Sequence, residues 1–314
     1  MARSESGPLN STINLLARRK KLRRSSNSSA SAQFWLPEAA GREALTNASL
    51  LLARTSRIVV ATGIANIYAR DAMAMGGAQK TLAEAYPGRF LLGLGVSHAP
   101  LVERFRGHRY EKPVTTMRAY LDAMDRAAYQ AVPPATEPLR VLAALGPKML
   151  KLAAERAAGA HPYFVTPEHT ARAREILGAN RLLAVEQAVV LEIDSIKARE
   201  IARAYYMAMH LGLANYVTNL RALGFTDDDF ANGGSNRLVD AIVVWGDIGA
   251  IMARVRAHHS AGADHVCLQA LTADRRALPQ QEWRELAAGL PQDDMGHKSL
   301  EGERLRSVLA RSFP

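Results

Sequence analysis

Apolar residues along this chain come in short unbroken runs rather than in strict alternation. Residues 90–94, Phe-Leu-Leu-Gly-Leu, hold no charge, and the run breaks into Gly95, Ser97, His98 and Pro100. A stretch that is apolar on both faces suits a parallel strand covered by helices on either side. Runs of the same kind occur at residues 33–36, 57–65, 139–145, 161–165, 182–191 and 265–271, which makes seven predicted strands. Between them the period changes to that of helices. Residues 43–54 form one; Asp71 stands as an N-cap before Met75, Ala78, Leu82 and Ala85; Val114, Met117, Leu121, Met124 and Ala128 line one face of another. Gly146-Pro147 opens a helix over 148–158, and Thr166-Pro167-Glu168 supplies N-cap, first and second positions of a helix to residue 177. Further helices are predicted over 195–223, interrupted near Gly212, then over 236–244, 247–259 and 279–290, with residues 227–229 left as an acidic loop.

Alternating strands and helices of these lengths predict an α/β fold, a (β/α)8 barrel. Such a barrel has eight strands. The missing one would precede Phe34, where residues 12–16 are the sole candidate, and the following segment has no apolar stripe from which to make a helix. The first strand is therefore expected to be absent or abnormal. Three units follow: a basic N-terminal segment over 1–32, expected to be disordered and dispensable, the barrel domain over 33–290, and a C-terminal tail over 291–314.

Charge changes this picture little once it is divided. Of the net +10 over 314 residues, residues 1–32 carry +6, with Arg3, Arg18, Arg19, Lys20, Lys21, Arg23 and Arg24 against Glu5, leaving +4 for the body. So mild an excess does not point the barrel to nucleic acid. The N-terminal segment is rich in Arg and Ser, as transit peptides and nucleic-acid tails are, and lacks the apolar core of a secretory signal. No run of about eighteen apolar residues exists, so no membrane span is expected and the protein is expected in the cytoplasm. A homodimer is left open. Cys267 is single and sits in an apolar run, which excludes an internal disulfide and a thiolate metal cage. Gly93-Leu-Gly95-Val-Ser-His98 fails as a dinucleotide fingerprint, because His98 stands where the third glycine belongs. No metal site is expected, since His258 and His259 are adjacent rather than one helical turn apart.

Four segments together resemble the luciferase-like flavin and deazaflavin oxidoreductases, most closely the branch using coenzyme F420. They are residues 59–66 (Val-Val-Ala-Thr-Gly-Ile-Ala-Asn), residues 88–98 (Gly-Arg-Phe-Leu-Leu-Gly-Leu-Gly-Val-Ser-His), Leu145 to Met149 with residues 157–161, and residues 261–266. The resemblance implies a barrel of the luciferase-like type with the cofactor ring at the carboxyl ends of its strands. It implies a cis peptide after the third strand, matched by Gly63-Ile64, and ring contacts from Gly63, Ile64, Asn66, Gly95 and Ser97. The cofactor phosphate would rest on Gly146, Pro147, Lys148 and Met149, where free amides at a helix start bind anions. A histidine after the second strand serves some relatives as the acid–base group; here Glu38 stands there instead. His98 and Glu38 are accordingly the catalytic candidates, His98 because imidazole titrates near neutrality. The expected activity is hydride transfer between F420 and a small organic substrate. An FMN-dependent monooxygenase of the same fold and a catalytically degenerate barrel are the alternatives.

Overall fold

A computed structural model describes residues 16–17, 33–274 and 277–289. The strands are β1 (Leu16–Ala17), β2 (Gln33–Leu36), β3 (Val59–Thr62), β4 (Ala65–Asn66), β5 (Phe90–Gly95), β6 (Arg140–Leu142), β7 (Gly159–Ala160), β8 (Leu182–Val190), β9 (Val243–Trp245) and β10 (His265–Ala270). The helices are α1 (Ala44–Arg54), α2 (Ala72–Ala85), α3 (Pro113–Arg126), α4 (Pro147–Arg156), α5 (Pro167–Leu177), α6 (Ser195–Ala202), α7 (Ala208–Leu211), α8 (Ala214–Ala222), α9 (Asp227–Phe230), α10 (Asn236–Ile242), α11 (Ile248–Ser260) and α12 (Gln280–Gly289). Strands β2, β3, β5, β6, β7, β8 and β10 pair in parallel, in that order, while β4 and β9 are short parallel extensions on β5 and β8. The sheet curls until its two ends meet inside: Trp35 of β2 lies 6.0 Å from His265 of β10, ring centre to ring centre.

The seam between those ends is where this barrel departs from its type. β1 joins β10 antiparallel, with Leu16 opposite Cys267, instead of running parallel between β10 and β2. Among the described residues no strand pairs the outer edge of β2. The remainder of the N-terminal segment, and the C-terminal tail from residue 290 on, lie outside the described residues.

Four predicted elements are corrected. The strand expected over residues 57–65 is two, broken at Gly63-Ile64. There Thr62 replaces the ladder with its side chain: its Oγ1 donates to Gly93 O at 2.7 Å and accepts from Gly93 N at 2.8 Å. The strand expected at 161–165 is β7, two residues earlier, and residues 161–165 form an irregular turn above it. Val243 and Val244, expected to end a helix, form β9 because β8 is long enough to offer them an edge. The acidic stretch 227–229 is a one-turn helix, since Asp229 and Thr226 cap each other's amides.

Side chains alternate across the sheet. Leu36, Val60, Leu92, Leu142, Val185 and Leu268 point outward into the core beneath the helices. Trp35, Ala61, Val141, Ala184 and Cys267 point inward. Small residues at most inward positions leave room for one large one, and Trp35, 2% exposed, takes it. It stacks on His161 with centroids 4.2 Å apart and planes 21° apart. Trp35→Ala would empty the lumen rather than a crevice at its rim, so it should cost about 3–5 kcal/mol, read as a lowered urea midpoint at unchanged m-value. A loss under about 1 kcal/mol would show that the lumen refills by collapse.

Candidate active site

The carboxyl ends of the strands gather polar residues from segments far apart in sequence. The Gly63-Ile64 peptide is cis, as the resemblance implied. Gly63 is closely approached: a Cβ there would lie 3.1 Å from His161 Nε2 and 3.2 Å from the Trp35 ring. At Gly95 a Cβ would come within 2.5 Å of the Ile64 side chain, whose end would have to shift. The register sets Asn66 beside Gly95. Asn66 is fully buried; its Oδ1 accepts from Tyr68 N at 2.9 Å, while its Nδ2 has no partner. A buried amide N–H pair without an acceptor costs roughly 1–3 kcal/mol, so Asn66 is a candidate for completion by a bound acceptor.

Glu38 is buried, but it does not face this spot as a free acid. Its carboxylate accepts from Ala44 N at 3.2 Å and Asn66 N at 2.7 Å, and it is ion-paired to Arg70, which also reaches Glu43. Four N–H groups point at its two oxygens. Glu38 thus ties the start of α1, the Asn66 backbone and Arg70 together, at the place where the resemblance suggested an acid–base group.

His98 is half-buried and lies 5.4 Å from the Tyr216 ring. Burial pulls its pKa below the ordinary imidazole value, partly offset by a hydrogen bond with Asn215, so it is neutral near pH 7. Ser97, one residue before it, takes a left-handed conformation at φ 57°, and its carbonyl accepts from Tyr110 Oη at 3.2 Å.

The start of α4 differs in detail from expectation. Gly146, Pro147 and Lys148 are exposed and Met149 is buried. Pro147 has no N–H, and Met149 N and Leu150 N both bond to Gly146 O at 3.1 Å. An anion here would therefore meet the Lys148 amide and ammonium and the helix end, not a full set of free amides. Gly146 has φ −85° and nothing within 4 Å of a Cβ, so its backbone does not need glycine.

A second group of residues carries no sequence motif and was not anticipated. Facing inward above Ala184, Glu186 is 2% exposed; its Oε2 accepts from Phe164 N at 3.2 Å and from Tyr206 Oη at 2.9 Å. Burial pushes its pKa up to about 8, though these two hydrogen bonds oppose the shift. Tyr163 donates to Gln269 Oε1 at 2.6 Å, and Tyr163, Phe164, Tyr206, His210 and Tyr216 pack ring on ring next to His98. His161, which stacks on Trp35, donates from Nδ1 to Ala184 O at 2.8 Å and is held down to about 4 by burial. The one signal in the sequence was a glutamate inside an apolar strand run, which parity places in the lumen only once the sheet is built.

Among known proteins, the family described as luciferase-like monooxygenase matches residues 30–265. A protein of Mycobacterium tuberculosis named as a coenzyme F420-dependent oxidoreductase is 27% identical over 301 residues, covering 76% of this chain and 86% of its own. Among solved structures, an F420-dependent secondary alcohol dehydrogenase bound to an F420-acetone adduct superposes with a TM-score of 0.66 at 14% identity, covering 84% of this chain and 90% of that one. The oxygenating constituent of 3,6-diketocamphane monooxygenase from Pseudomonas putida, in complex with FMN, gives 0.62 at 14% identity, covering 83% and 87%. At those identities the two structures establish likeness of fold.

The direction of the Glu186 shift has a consequence for stability. The unfolded carboxyl ionises from about 4.5 upward, while the native one keeps its proton to about 8. Glu186 therefore removes stability as pH rises between those values, and the deficit is constant above them. Glu186→Gln is neutral throughout, so its Tm relative to the parent should rise from about pH 5 to about pH 9. Equal differences at the two pH values would show an ordinary carboxyl.

Proposed function

Because the chain belongs to the luciferase-like monooxygenase family, we propose that it is an oxidoreductase that binds the deazaflavin coenzyme F420 and moves a hydride between it and a small organic substrate. The observation that carries this reading is the unpartnered Asn66 Nδ2, buried beside Gly95 at the strand ends. A planar heteroaromatic ring edge offers the acceptor that this amide lacks. Gly63, Ile64, Gly95 and Ser97 would line the ring, since Gly95 and Ile64 already meet with no space for another side chain between them. The M. tuberculosis relative and the F420-dependent neighbour support the deazaflavin; the FMN-bound neighbour makes flavin mononucleotide the cofactor to test against it.

The cofactor supplies the hydride chemistry. What this chain contributes is placement and protonation. Glu38 and Arg70 hold the Asn66 backbone so that its side-chain amide meets the ring. The buried wall of Tyr206, His210 and Tyr216 excludes water from one side. His98, kept neutral, is able to accept a proton at the other margin of that wall. Lys148, through its ammonium and its free amide, would hold the cofactor phosphate at the start of α4 beside the exposed Gly146.

Fluorescence titration with deazaflavin, run beside one with flavin mononucleotide, tests the reading: tighter binding of deazaflavin is expected, tighter flavin favours the monooxygenase, and neither binding overturns both. Gly146→Ala should bind as the parent does, because a Cβ there touches nothing. In Gly146→Asp, like charges about 4 Å apart at an effective dielectric of about 20 repel by roughly 4 kcal/mol, on the order of a thousandfold in affinity. Parent-like binding by Gly146→Asp would place the phosphate elsewhere.

A further inference from the structure

His161 has one ring nitrogen that the fold does not use. Its Nδ1 lies 2.8 Å from Ala184 O. A carbonyl only accepts, so Nδ1 carries the proton, and the neutral ring presents Nε2 as a bare acceptor. Burial holds the pKa down to about 4, so this neutral form persists at ordinary pH. Among the described residues no donor is bonded to Nε2. The ring is not free to turn and find one. It stacks on Trp35 with centroids 4.2 Å and planes 21° apart, and the Ala184 bond holds its other side. An apolar ring would pack on Trp35 as well, without leaving a nitrogen unbonded in a buried residue.

Gly63 shows what lies beside that nitrogen. A Cβ built on Gly63 would stand 3.1 Å from Nε2, and no atom outside the adjoining chain lies nearer to that position. The glycine thus leaves an atom-sized space next to Nε2, at a separation suited to a hydrogen bond. Gly63 is half-buried, whereas His161 is 3% exposed, so the glycine is the more open of the two. Asn66, three residues further along the same segment, brings the opposite group: its buried Nδ2 is a donor without an acceptor. The segment from Gly63 to Asn66 therefore has a lone pair near one end and an N–H at the other.

That opposition narrows what satisfies both groups. A ligand lying along residues 63–66 has to turn a donor toward His161 and an acceptor toward Asn66. A small substrate with a single polar group meets one requirement and not the other. The imide edge common to deazaflavin and flavin rings, a ring N–H between two carbonyls, meets both. On the reading that the cofactor ring lies over Gly63 and Ile64, we propose that His161 Nε2 accepts the hydrogen bond of the ring's imide N–H, while a neighbouring ring carbonyl accepts from Asn66 Nδ2. The proton stays on the ring nitrogen. What His161 fixes is the rotation of the ring within its own plane, and with it the edge that faces the substrate.

Nitrogen NMR of the full chain labelled in its histidines reads this contact directly. On addition of deazaflavin or FMN, the unprotonated nitrogen of His161 should shift toward the protonated range. The same rings methylated at the imide nitrogen, which lack the N–H, should leave it in place. His161→Asn keeps a donor near Ala184 O, has no acceptor at the Nε2 position, and assigns the signal by its loss. In fluorescence titrations the parent should bind the unmethylated ring roughly tenfold or more tightly than the methylated one, and His161→Asn should reduce that preference to about threefold or less. His161→Gln, whose amide oxygen reaches the Nε2 position, should retain the preference, and it assigns the signal if the asparagine variant does not fold. A signal that stays in place when a ring binds, or that moves equally with the methylated ring, overturns the contact and leaves the functional reading standing. A signal moved by isopropanol and by neither ring does the same, giving Nε2 to the substrate. A parent that binds neither deazaflavin nor FMN overturns the functional reading, and the contact with it.

Discussion

Trp35 filling the lumen is the contact on which the mouth of this barrel depends. Seven parallel strands curl around a space that small inward residues leave open, and the indole from β2 occupies it. His161 stacks on that indole, and the Ala184 carbonyl fixes its Nδ1 proton, so its ring is held from two sides. Gly63 is then closely hemmed in, because a Cβ there would press on both Trp35 and His161. From this floor upward the positions of Gly63-Ile64, Gly95 and Glu186 follow. The seam makes the same residue more important, since Trp35 also bridges to His265 where, among the described residues, no parallel strand lies between β2 and β10.

Above that floor, burial sets every protonation state in the same sense, toward neutrality. Imidazoles at His161 and His210 are pushed down to about 4, the Glu186 carboxyl is pushed up, and the phenols of Tyr163, Tyr206 and Tyr216 are raised. The Glu38–Arg70 pair carries charge at the mouth and faces α1 and the Asn66 backbone. Such a mouth disfavours any full charge stranded in its low dielectric.

Much of the architecture was legible in the chain because its cause is local. Residues 90–94 read as a buried strand, and β5 covers them. Asp71 and Thr166 read as N-caps and accept from Ala74 N and His169 N. The helix break near Gly212 was visible in the same way. Misreadings occurred where pairing, not propensity, decides. Val243 and Val244 are strand because β8 extends far enough to pair them, and residues 161–165 are a turn although apolar and aromatic. The candidate site divides likewise. Gly63, Ile64, Asn66 and Gly95 were found through motifs, and the structure brings them together. Glu38 sits where a catalytic group was expected, yet Arg70 and two amides take up its oxygens.

By itself, then, the sequence determined the period of its elements, their caps and the glycines at the strand ends, because each depends on a few neighbouring residues and on backbone sterics. It also carried the motifs of its family. Only the tertiary structure decided which polar groups would face one another. Glu186, Tyr163, Tyr206 and Gln269 are far apart in the chain, and no spacing rule joins them; strand parity, the curl of the sheet and the left-handed turn at Phe164 do. Their protonation was decided there too, since a pKa reflects how much water and charge surround a group, and both are set when the barrel closes around its lumen.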